Sequence, residues 1–317
     1  MEKNNILISL IVATRDRIND LASLLESLRI YGYFKRTGFE VIIVDNSYGS
    51  DELKELCRHY GAKYSLESCP GKSRALNKGI GISSGQYLAF TDDDIVVRDN
   101  YSFDILARDL KDNENIGYVS GNVIAAKIVS SAQKIWETKG GLSKGKSSKL
   151  WTNDEFASYR FSPWPLFRIC AGANCMIPRK VLDQVGGYSE LLGPGAMIGH
   201  GESLEIGYRI IKSGYEMKYN SESCVYHNHP AKDREIKSKL YIYGIGDTAI
   251  HAHIFWEFFD LRSLWWAFIG HPAYTMNKFL KRWFGKYPLP SDYILYSLAG
   301  SLMGATLYLS RRIGLRR

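Results

Sequence analysis

The sequence predicts an open, twisted, mostly parallel α/β sheet flanked by helices, followed by a helical C-terminal region rich in aromatic and basic residues. Three observations carry this. Apolar, β-branched runs alternate with segments of helical periodicity over the first hundred residues, the pattern of βαβ units whose sheet is covered on both faces. Each of three such runs stops at a polar or acidic residue, Thr14, Asp45 or Asp92, where the carboxyl ends of parallel strands meet a ligand crevice. Beyond Lys239, Trp, Tyr and Phe are interleaved with Lys and Arg, a composition suited to a boundary between water and lipid.

The first strand is the run Ile6-Leu7-Ile8-Ser9-Leu10-Ile11-Val12-Ala13. Leu21, Leu24, Leu25 and Leu28 then recur at helical spacing, and Val41-Ile42-Ile43-Val44 forms a second buried strand ending at Asp45-Asn46. Ser50, followed by Asp51 and Glu52, has the chemistry of an N-cap and an acidic first turn. A short strand over Ala62 to Ser65, a helix over Ser73 to Ile80 and a turn at Gly85 lead to Tyr87-Leu88-Ala89-Phe90-Thr91, which runs into Asp92-Asp93-Asp94. Lys139 to Lys149, with four lysines among Gly and Ser, reads as a solvated loop, with a lid over phosphates as the sharper alternative. Pro178 leads a helix through Val185, Gly201-Glu202-Ser203-Leu204-Glu205 opens another, and Cys224-Val225-Tyr226-His227 is a short strand. Tyr293 to Ser310 is 18 residues without a charge, contains Gly300-x-x-x-Gly304 and precedes the basic run Arg311 to Arg317. Ser, Thr, Tyr and Gly dilute it, so a core or interfacial helix is expected ahead of a membrane span.

Length and composition bound the function. A chain of 317 residues can hold one large domain or two ordinary ones, and 45% apolar with 23% charged residues excludes both a disordered chain and a polytopic membrane protein. Lys plus Arg number 41 against 33 Asp plus Glu, so the net charge of +8 favours anionic partners such as nucleotides, phosphorylated lipids or an acidic membrane surface. Five cysteines without a Cys-x-x-Cys pair indicate reduced thiols rather than a disulfide framework or a zinc knuckle. The first apolar run is too short for a secretory signal, so the chain is expected to stay in the cytoplasm.

Three aspartates in succession after a buried strand repel one another unless a cation or donors neutralise them, and hard carboxylate oxygens suit Mg2+ or Mn2+. His227 and His229, two apart, face the same side of a strand, so one can complete a metal sphere. Glu202 and Glu205 share one face of a helix, and Arg17, Lys72 and Arg74 fall in strand-to-helix connections where diphosphate or base contacts are useful. No Gly-x-Gly-x-x-Gly follows the first strand, which argues against a dinucleotide dehydrogenase.

Taken in order and spacing, Val12-Ala13-Thr14-Arg15-Asp16-Arg17, Val44-Asp45-Asn46-Ser47, Gly71 to Gly79, Phe90-Thr91-Asp92-Asp93-Asp94, Gly172-Ala173-Asn174, Gly201 to Arg209 and Val225-Tyr226-His227 resemble the family 2 inverting glycosyltransferases of GT-A fold, over roughly Ile6 to Pro230. The resemblance implies that Ala13, Thr14, Arg17, Asp45, Lys72, Arg74, Asp92 and Asp93 bind a nucleotide-diphosphate sugar. It further implies that Asp92, Asp94 and His227 hold Mg2+ or Mn2+, with Asp93 able to replace either neighbour. The acceptor is expected to be a glycan or lipid-linked glycan, the inner face of the cell membrane a peripheral seat, and nucleic acid no partner. Residues 1–235 then form the transferase domain, with 1–125 as the nucleotide-binding half and 126–235 as the acceptor and catalytic half, and 236–317 form a helical, membrane-associating region.

The chain departs from the family pattern twice. Ala13 stands where Pro usually precedes the threonine, and Ser203 stands where the family carries the aspartate of its Glu-Asp pair. Serine does not accept a proton at neutral pH, so Glu202 or Glu205 is the general base. Two rival readings follow: a catalytically weak sugar-nucleotide-binding module, motivated by Ser203, and a sugar-nucleotide pyrophosphorylase, whose Gly-x-Gly-Thr-Arg loop is missing from Val12-Ala13-Thr14-Arg15.

Overall fold

The computed structural model describes residues 7–138, 141–162 and 166–314. Ile6, Lys139, Gly140 and the basic end Leu315 to Arg317 therefore lie outside the described residues. The chain runs β1 (Ile8–Thr14), α1 (Ile18–Ile30), β2 (Phe39–Asp45), α2 (Asp51–Tyr60), β3 (Lys63–Leu66), α3 (Lys72–Ile82), β4 (Tyr87–Asp92), β5 (Ile95–Val97), α4 (Ser102–Asp112) and β6 (Ile116–Ala125). It continues through α5 (Ser131–Thr138), β7 (Lys149–Trp151), α6 (Asn153–Ser158), α7 (Leu166–Ile169), β8 (Asn174–Pro178), α8 (Arg179–Val185), α9 (Glu202–Lys212) and β9 (Glu216–His227). The last helices are α10 (Asp233–Phe258), α11 (Leu261–Trp265), a π-helical turn at Trp266–Gly270, α12 (His271–Trp283) and α13 (Ser291–Gly314).

Among the described residues, the strands form one sheet in the order β3-β2-β1-β4-β8-β6-β9-β5, with β7 on β9. From β3 to β4 the pairing is parallel; β8 then runs antiparallel to β4 and β6, and β6 and β9 are parallel again. The continuous apolar runs follow from cover on both faces. Leu10, Val12, Val41 and Ile43 join a core with Leu21, Leu24, Leu25 and Leu28 of α1. Their neighbours Ile11, Ile42 and Val44 point into a second core with Ala75 and Leu76 of α3, Leu204 and Tyr208 of α9, Ile250 of α10 and Tyr308 of α13. Ser50 caps α2 by accepting from the Leu53 amide, as its sequence position requires. Four of the five cysteines are buried and free, and Cys69 is exposed.

No described helix is long and apolar enough to cross a membrane. The uncharged stretch Tyr293 to Ser310 lies within α13, and its glycines serve contact with α10. A Cβ on Gly300 would stand 2.2 Å from the Tyr241 carbonyl oxygen, one on Gly304 2.0 Å from that of Ile245, and one on Gly244 2.2 Å from that of Ser297. The small-residue motif brings two backbones together inside the chain, with the same steric logic it has between helices in lipid.

Candidate active site

The parallel pairing sets the crevice. Ala13 on the central strand is in register with Val44 on one side and Asp92 on the other, and Thr14 is in register with Asp45. The chain leaves β4 at Asp92, turns through Asp93 and Asp94, and re-enters the sheet as β5, where Ile95 pairs with His227 at the end of β9. That pairing puts His227 Nε2 3.2 Å from Asp94 Oδ1. One ligand atom from each of Asp92, Asp94 and His227 can be chosen so that all lie within 4.8 Å of one another. The aspartates alternate in direction. Asp93 turns away, accepting from Thr14 Oγ1 at 2.8 Å and from Arg17 at 2.8 Å.

Two cations stand against the three carboxylates. Lys72 pairs with Asp92 and stands 3.6 Å from Glu202 Oε1; Arg17 bridges Asp93 and Asp94 Oδ2, the latter at 2.9 Å. Burial opposes ionisation of Asp92, but Lys72 outweighs it and leaves the carboxyl below its ordinary pKa. Burial pushes Asp93 up to about 6 against the pull of Arg17. Burial also holds His227 below the ordinary imidazole value, despite Asp94, which favours the neutral ring that a metal requires. The fit to a divalent cation rests on two atoms: Asp94 Oδ1 and His227 Nδ1 are buried without a hydrogen-bond partner. Two carboxylates and a neutral imidazole suit Mg2+ or Mn2+.

Asp45 is fully buried, its Oδ1 accepting from Ser47 and its Oδ2 from Tyr64 at 3.0 Å. Neighbouring Asn46 ties down the loop before α3, donating to the Glu67 and Cys69 carbonyls and accepting from the Gly71 amide. Arg74 is drawn elsewhere, to Glu190 at 2.8 Å, and touches none of the three aspartates. His229 lies two residues past the end of β9 rather than on the strand; its ring centroid is 4.8 Å from that of His227, and its Nε2 lies 2.9 Å from Glu137. In the described part of the lysine-rich loop, Lys144 donates to the Phe167 carbonyl and Lys149 stands 3.5 Å from Glu155.

The structure separates Glu202 and Glu205. Glu205 takes two bonds from Arg209, at 2.6 and 2.7 Å, and Arg209 continues to the carbonyls of Val185, Gly186 and Gly187. His253 lies 3.7 Å from the same carboxylate and bonds Tyr308 of α13 at 2.8 Å. Burial works against this charge, and His253 and Arg209 outweigh it, so Glu205 is held below its ordinary pKa. Glu202 accepts no such clamp. It starts α9 after Gly201, whose φ of +104° favours glycine, and its closest cation is Lys72. Ser203 lies against Gly172, whose added Cβ would meet its Oγ at 2.4 Å. Sequence reading missed Lys239 and Tyr243 of α10, although both feel Asp92, and His200, on which Tyr243 stacks at 4.4 Å. The signal for Lys239 and Tyr243 was the fourfold spacing of polar residues along α10.

The chain belongs to glycosyl transferase family 2, whose model matches residues 9–186. Its fold is similar to that of the mannosyltransferase PcManGT from Pyrobaculum calidifontis, solved in complex with GDP-Man and Mn2+, with a TM-score of 0.63 at 14% identity over 96% of this chain and 87% of that one. It is also similar to residues 1–349 of S. aureus TarS, with a TM-score of 0.50 at 14% identity over 97% of this chain and 92% of that one. No curated protein matches the chain.

Proposed function

We propose that the chain transfers a sugar, with inversion, from a nucleotide-diphosphate sugar to a hydroxyl of a glycan or lipid-linked acceptor, using Mg2+ or Mn2+. The observation that carries this is the cluster of Asp92, Asp94 and His227 with its two unpartnered buried atoms, facing Lys72 and Glu202 across one crevice. Asp92, Asp94 and His227 would hold the metal, which when bound neutralises the departing diphosphate. Ala13, Thr14, Asp45 and Asp93 line the donor side at the strand ends, and Arg17 positions the acidic turn. Glu202 takes the proton of the attacking hydroxyl, with Lys72 3.6 Å from its Oε1. Glu205 acts as a strut that fixes α9. Residues 1–235 carry donor and base, and 236–317 cover the acceptor side.

Calorimetry of UDP, GDP and dTDP binding tests the reading, in EDTA and in Mn2+. One nucleotide should bind distinctly more tightly, and only with the metal. Equal affinity for all three under both conditions would remove the metal-held donor.

We propose in addition that α12 seats the chain peripherally on anionic membranes. Leu280, Trp283 and Phe284 are exposed, the last two by 78% and 72%, beside Lys281, Arg282 and Lys286. Because α10 faces the crevice, substitution is a cleaner probe than truncation at Lys239. The wild type should float with vesicles containing phosphatidylglycerol, and Trp283→Ser/Phe284→Ser should not; flotation that is indifferent to both the substitutions and lipid charge would reject this seat.

A further inference from the structure

Lys239, Tyr243 and Asp247 recur at every fourth residue of α10 and so share one face. At its start this face meets the turn that leads into Glu202, where His200 Nε2 lies 3.9 Å from Asp247 Oδ1. Tyr243 stacks on His200, two residues before Glu202. Past Tyr243 the face opens on a cavity of about 180 Å³ between α10, α12 and α13, with Tyr243, Tyr274, Tyr287 and Tyr293 among its walls. Two residues of its lining carry buried side-chain atoms without a hydrogen-bond partner. His271 Nε2 lies 3.3 Å from Asp247 Oδ2, while His271 Nδ1 is buried without a hydrogen-bond partner. Thr275 Oγ1 is likewise buried and unpartnered, on a residue only 1% exposed.

We propose that this cavity is an acceptor subsite that seats one pyranose ring, an inference that rests on the transferase reading above. A cavity of about 150 Å³ holds one benzene ring, so this one has room for a single ring and not for a longer glycan. Aromatic walls suit the apolar faces of a sugar, and Asp247, His271 and Thr275 suit its rim of hydroxyls, which can both donate and accept. An alkyl chain would fill the same space but leave a carboxylate, an imidazole nitrogen and a hydroxyl facing hydrocarbon, which is costly. A phosphate group would meet Asp247 directly. A ring held here directs the adjoining sugar past Tyr243 and His200 toward Glu202, the direction a hydroxyl must take to reach the base.

The test uses the full chain and three probes, the methyl glycosides of glucose, mannose and galactose, followed by saturation-transfer NMR at millimolar concentration. Thr275→Val keeps the side-chain shape and removes only the hydroxyl, and Asp247→Asn removes the charge; thermal unfolding verifies that both remain folded. At least one glycoside should bind the wild type, weakened about fivefold by Thr275→Val and about tenfold by Asp247→Asn, as loss of a neutral and of a charged hydrogen bond requires. Mn2+-dependent nucleotide binding, measured in parallel, reports separately on the transferase reading. If nucleotide binds the wild type but no glycoside does, or if either variant leaves the glycoside signal unchanged, the acceptor subsite alone is overturned. If no nucleotide binds the wild type, the transferase reading falls and the subsite with it.

Discussion

Glu202→Gln is expected to reduce turnover about 100-fold or more while leaving donor affinity nearly intact, the scale on which loss of a general base acts. Two carboxylates open α9, and only their partners distinguish them. Glu205 is committed to Arg209 through two short bonds and stands near His253, so its oxygens are occupied and its side chain is only 3% exposed. A carboxylate held that way is a weak base. Glu202 keeps its oxygens, with Lys72 3.6 Å away and the acidic turn beyond it. Glu205→Gln should therefore act mainly on stability. It leaves the Arg209 guanidinium without its counter-charge in a buried site, a loss of about 3 kcal/mol or more, read as a lower midpoint in urea unfolding. Near-normal turnover in Glu202→Gln with collapse in a still-folded Glu205→Gln would reverse the assignment. Normal turnover in both would remove this helix from the chemistry and favour the reading of a sugar-nucleotide-binding module that Ser203 raised.

The legible part of the fold is the part whose signal is local. β1, β2 and β4 are continuous apolar runs because helices cover both faces, and each ends on the polar residue that marks the crevice. β6 and β8 escaped notice: β6 carries Gly117, Gly121 and Asn122 within its span, and β8 follows a glycine turn closely enough to read as part of it. Only the last four residues of β9 were legible, since its first half is polar and alternates in exposure. The Gly-x-x-x-Gly of α13 was read for its chemistry but not its partner, because sequence does not say whether the facing backbone is lipid-embedded or part of the same chain. The metal-capable cluster was legible because strand ends converge by rule. Lys239, Tyr243 and Asp247 were not, because their position depends on α10 folding back over the crevice. The choice between the glutamates had a local clue that went unused: Arg209 follows Glu205 by four residues, the spacing of a helical ion pair.

Asp94→Asn and His227→Ala are each expected to weaken Mn2+ binding at least about 100-fold, and Asp93→Asn to change it about threefold or less. Loss of groups that merely support a metal ligand costs about 10- to 100-fold, so loss of a ligand itself should reach the upper end. The contrast between adjacent aspartates follows from their directions. Asp93 spends both oxygens on Thr14 and Arg17. Asp94 gives only Oδ2 to Arg17 and leaves Oδ1 buried, unpartnered and facing His227. A cation can thus be ligated through Oδ1 without displacing Arg17, whose guanidinium keeps the turn in place. His227→Ala removes the one neutral donor and opens a gap that water can fill, whereas Asp94→Asn keeps the shape and removes the charge, so agreement between them isolates ligation from packing. The loss of the free Mn2+ electron paramagnetic resonance signal on titration with protein measures this without any turnover. Equal weakening in Asp93→Asn and Asp94→Asn would mean that the turn contributes only its net charge, and unaltered binding in Asp94→Asn and His227→Ala would place the metal elsewhere.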